Sequence, residues 1–192
     1  MGTDEAEYAR RVRQVAEGSD WAVREGTLSQ NRGGKAFHVY HFADHAFLMA
    51  KPLIWDQIFW NVMGITFKRR PGASRHWWGG NCPVPKRDTT ALKRGSATVR
   101  AARAFAFAEK GLRRLAGADL SRLPDLWHPT DRPGDFLIPQ VIIRLAEGDA
   151  AGARRLAEDV VEGRTKASFN IRGQDGQSFF ERVAKRAPEY AL

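Results

Sequence analysis

The run KAFHVYHFADHAFLMAKPLIWDQIFWNVMG, residues 35–64, decides the fold because its periodicity changes partway along. KAFHVYHF and HAFLMAKPLIW are rich in aromatic and apolar residues and flank the short Ala43-Asp44 connection, as the two strands of a hairpin do. From Trp55 the apolar positions Trp55, Ile58, Phe59, Val62 and Met63 fall at i, i+3, i+4, i+7 and i+8, which is one face of a helix, and Gly64 is a natural stop. A hairpin that runs into an amphipathic helix predicts an α+β protein with an antiparallel sheet.

The flanking sequence extends this pattern. Residues 3–17 read as a helix with Asp4, Glu5 and Glu7 near its start and Tyr8, Val12 and Val15 on one face. Trp21 to Leu28 alternates like a moderately exposed strand, and NRGG at 31–34 is a turn signal. Beyond Gly64, Gly and Pro recur through residues 71–85, which predicts a long loop with at most one short strand around Trp77. Ser96 can cap a helix that reaches Gly117 with Ala101, Phe105, Ala108, Leu112 and Leu115 inward. Three prolines make 120–135 a crossing linker.

Two helices follow, about 136–147 and 149–162, joined across Gly148-Asp149. SFFE at 178–181 has capping-box spacing and opens a last helix carrying Phe179, Phe180 and Val183. The expected architecture is a small antiparallel sheet from about 21 to 85, covered by the 3–17, 55–64 and 96–116 helices. A C-terminal helical portion completes it, so that an α+β domain at 1–117 carries a helical extension at 118–192, packed on it as one unit.

With 192 residues, 43% of them hydrophobic, the chain can bury a core. MGTDEAEYARRVRQ lacks the apolar run of a signal peptide, and no stretch approaches the roughly 18 apolar residues of a membrane span, so the expected location is cytoplasmic, with no membrane partner. A single Cys excludes an internal disulfide and agrees with a reducing compartment. The net charge of +9 is concentrated. Residues 68–103 hold ten Lys or Arg against one acid, Asp88, while the remainder balances at 21 of each sign. Arg outnumbers Lys by 23 to 8, as GC-rich coding alone would produce, but coding bias would spread the excess rather than cluster it.

Most familiar chemistries find no support. His38, His41 and His45 would converge on a metal if helical, but in a hairpin His38 and His45 share a face about 13 Å apart, at roughly 3.3 Å per residue, and His41 points the other way. Cys82, beside Asn81 and six residues after His76, lacks any context that specifies a nucleophile. GxSxG, GxxxxGK[ST], HExxH and GxGxxG are absent, and Asp44, Asp56 and Asp135 stand apart with no paired-carboxylate spacing. No cofactor or metal is expected. An enzyme assembled from distant residues on an unrecognised scaffold stays open.

WDQIFWNVMGI, residues 55–65, followed by the basic stretch and by PVP at 83–85, resembles small bacterial proteins encoded near toxin–immunity loci. The likeness runs over about residues 35–85, with SFFERV at 178–183 as a second echo. The resemblance implies an α+β sheet-and-helix fold and a non-enzymatic binding role, with no catalytic residues to transfer. The basic segment departs from the acidic surface expected of an inhibitor of a nuclease toxin.

The candidate binding surface is therefore Lys68, Arg69, Arg70, Arg75, His76, Trp77, Trp78, Lys86, Arg87, Lys93 and Arg94. Its expected partner is an acidic protein or nucleic acid. In the second case Arg and Lys meet phosphates and one Trp stacks on an unpaired base.

Overall fold

The computed structural model describes residues 3–42, 44–64, 86–92, 95–120, 134, 137–168 and 171–192. In chain order the elements are α1 (Thr3–Val15), β1 (Ala22–Arg24), β2 (Thr27–Arg32), β3 (Lys35–Phe42), β4 (His45–Pro52), α2 (Leu53–Val62), β5 (Lys86–Ala91), α3 (Ala97–Leu115), α4 (Leu137–Ala146), α5 (Ala150–Val161) and α6 (Phe179–Tyr190). They divide into two compact units. One holds α1, the strands and α3; the other holds α2 and α4–α6.

The first unit is an antiparallel sheet in the order β1-β2-β3-β4-β5, so each strand pairs with its neighbour in sequence. Tight two-residue turns set this meander. Glu25-Gly26 and Gly33-Gly34 have φ of 50°, 78°, 57° and 72°, the left-handed pairs that suit the twist of hairpin strands. The first of these turns corrects the sequence reading, since Trp21 to Leu28 is not one strand but two short ones folded back at Glu25-Gly26. The second turn lies within the predicted NRGG and fixes Leu28 opposite Val39 and Ser29 opposite His38.

Side-chain alternation puts Leu28, Phe37, Val39, Ala46, Leu48 and Ala50 on one face of the sheet, packed with Tyr8 and Val12 of α1 and with Ala101, Ala104, Ala108, Leu112 and Leu115 of α3. Helix and sheet approach so closely that a Cβ at Gly111 would stand 2.3 Å from Leu48 Cδ2. Ser96 caps α3 as expected, its hydroxyl accepting from the Val99 amide, and Lys35 Nζ donates to the Ala116 carbonyl at the other end, 2.6 Å away. Phe105 is a correction, because the buried stripe of α3 runs through Ala104 and leaves Phe105 only partly buried at the edge of the core.

The second strand of the expected hairpin is shorter than predicted: β4 ends at Pro52, which also serves as N-cap of α2, so Leu53 and Ile54 are helical rather than extended. Pro52, with φ −60° and ψ 138°, is compatible with both roles, and its ring leaves no amide for the helix to satisfy.

In the second unit the apolar face of α2 is as predicted, with Trp55, Ile58, Phe59, Val62 and Met63 all buried, and α2 packs against α4 and α6. Phe59 stacks on Phe179 at 5.6 Å between centroids, and Phe180 meets Phe179 edge-on at 5.4 Å. The α4–α5 hairpin turns at Gly148, φ 76°, and Asp149 caps α5 through the Gly152 amide at 2.8 Å. The Ser178–Glu181 capping box is complete: the Ser178 amide donates to Glu181 Oε2 at 2.6 Å, and the Glu181 amide donates to Ser178 Oγ at 3.2 Å. A kink at Arg186, φ −136°, two residues before Pro188, interrupts the last turns of α6.

Candidate functional site

Of the predicted surface, Lys68, Arg69, Arg70, Arg75, His76, Trp77, Trp78, Lys93 and Arg94 lie outside the described residues, as do Asn81 and Cys82. The structure places the backbone of Lys86 and Arg87. Both belong to β5, which pairs with β4 in one register from His45–Ala91 to Leu48–Asp88 and then slips by one residue to Met49–Lys86, so that Arg87 is the extra residue of an irregularity in the ladder.

The acid of this strand is already engaged. Asp88, the single acid of the basic segment, lies 3.1 Å from Arg114 of α3 through Oδ2 and accepts the Thr89 amide at 2.8 Å through Oδ1. At the other end of the segment, Arg100 donates to Asp4 of α1 at 2.6 Å and sits over the Tyr8 ring, 5.6 Å from its centroid. Burial pushes the Tyr8 hydroxyl up to about 12, against the opposing pull of Arg100. Arg100, counted in sequence as part of the cationic excess, thus belongs to an α1–α3 contact.

The three histidines separate as the hairpin predicts. His41 lies on the core side with its ring 4.7 Å from Tyr8. His38 and His45 occupy the opposite face, where His45 lies 6.1 Å from Phe47 and His38 Nδ1 lies 3.2 Å from Ser29 Oγ. That face also buries Tyr40, Met49 and Lys51. Among the described residues, no three His, Cys, Asp or Glu side chains converge as a metal site, and no helix is long and apolar enough to cross a membrane.

The sequence reading missed two polar arrangements. The Ser29–His38 pair was accessible in principle, because a two-residue turn at Gly33-Gly34 sets these residues opposite each other. The other centres on Arg182, 13% exposed, which holds Asp175 at 2.6 Å and reaches the Val62 carbonyl at 3.4 Å, supplying a cation to the end of α2, whose own last turn has none. No sequence signal joins residues 62, 175 and 182. Comparison with protein-family models, curated proteins and solved structures finds no match to this chain.

Proposed function

We propose that the protein is a non-enzymatic binding protein whose contact element is the segment 68–94 and whose partner presents an anionic surface. The observation that carries this reading is the engagement of Asp88 by Arg114. The only acid within 68–94 is held by a cation from α3, and the sequence of that segment offers its eight Lys and Arg no other acid. An acidic protein surface is the partner in keeping with the toxin–immunity resemblance. Single-stranded nucleic acid is the second reading, favoured by the adjacent Trp77 and Trp78 inside the basic run, which suit stacking on unpaired bases.

The test is a salt titration of the purified protein on immobilised single-stranded DNA, heparin and a polyglutamate peptide. Retention that falls steeply with salt supports an anionic partner, and selective retention on DNA favours nucleic acid. Passage through all three at low ionic strength refutes the reading.

A further inference from the structure

We draw no further inference here: the strongest candidate, the buried Ser29–His38 pair on the sheet face opposite α1 and α3, has its hydroxyl and ring nitrogen 3.2 Å apart and bonded to each other, and nothing among the described residues shows how a substrate or ligand would reach it.

Discussion

At Glu25 the backbone adopts φ 50°, a left-handed conformation that side chains beyond Asn, Asp and Gly resist, with Gly26 beside it at φ 78°. Asn at the first position of such a turn relieves that resistance, so Glu25→Asn is expected to raise stability by about 0.5–1 kcal/mol, seen as a higher Tm; an unchanged or lower Tm would show that the turn carries no strain. Gly111 carries the opposite expectation. Alanine is the better helix former, but its Cβ would stand 2.3 Å from Leu48 Cδ2, and Leu48 is fully buried. Overpacking outweighs propensity, and Gly111→Ala should cost about 1–3 kcal/mol in denaturant melts. Phe59 and Phe105 differ in a way that the helical pattern did not distinguish. Phe59 is buried against Phe179 and its loss to Ala should cost about 3–5 kcal/mol, whereas partly buried Phe105 should cost about 1–2 kcal/mol. Equal losses would mean that the two positions are equally buried.

Where the elements were legible in sequence, local chemistry made them so: the capping box at Ser178, the helix junction at Gly148-Asp149, the Gly33-Gly34 turn and the stripe from Trp55 to Met63 each depend on residues within a few positions of one another. Misreadings arose where a local pattern fitted two structures. Alternation ran through Glu25-Gly26 unbroken because Glu is an unusual first residue for a left-handed turn, and the choice between Ala104 and Phe105 as the inward residue of α3 depended on how near the sheet lies. The cap of α6 is testable directly. Ser178→Ala should cost about 1 kcal/mol. Acid should act on the same element, because hydrogen bonds from Ser178 hold the Glu181 carboxyl below its ordinary range, and Arg182 does the same to Asp175. A depressed folded pKa means that the stabilising effect is fully present above the unfolded value of about 4 and is lost as pH falls through the folded values. Melts of wild-type protein should therefore decline below about pH 4. Asp175→Asn and Glu181→Gln should each flatten that decline, and an identical acid limb in both variants would count against these carboxyls as its source. Removing the cation, as in Arg182→Leu, should lower Tm at neutral pH, chiefly because it leaves the end of α2 without its donor, while exposed Asp175 is solvated by water.

For the molecule as a whole, charge counted along the chain and charge arranged in space are different quantities. The sequence placed ten cations and one acid in 68–103, but Arg100 is answered by Asp4 from 96 residues away and Asp88 by Arg114, so a count along the chain overstates what Arg100 adds to a cationic surface. Such pairings were invisible in sequence because nothing local joins α1 to α3 or β5 to α3. Within 68–94, the substitution of Arg69, Arg70 and Arg75 by Ser separates an electrostatic contact surface from a compositional accident. Each phosphate contact on single-stranded nucleic acid contributes a slope of about −0.7 in log affinity against log salt, so three lost contacts should flatten the dependence by about 2. The melting temperature should change little, because the segment offers these charges no acid close in sequence and relief of their mutual repulsion offsets what they do contribute. Trp77→Ala and Trp78→Ala then divide stacking from packing: weaker DNA binding at unchanged Tm identifies a stacking base platform, while a large drop in Tm identifies a core residue. A triple variant that binds with the wild-type salt slope would remove these three arginines from the contact surface, and a wild-type protein with no salt-sensitive binding to any polyanion would leave the clustered charge to coding bias.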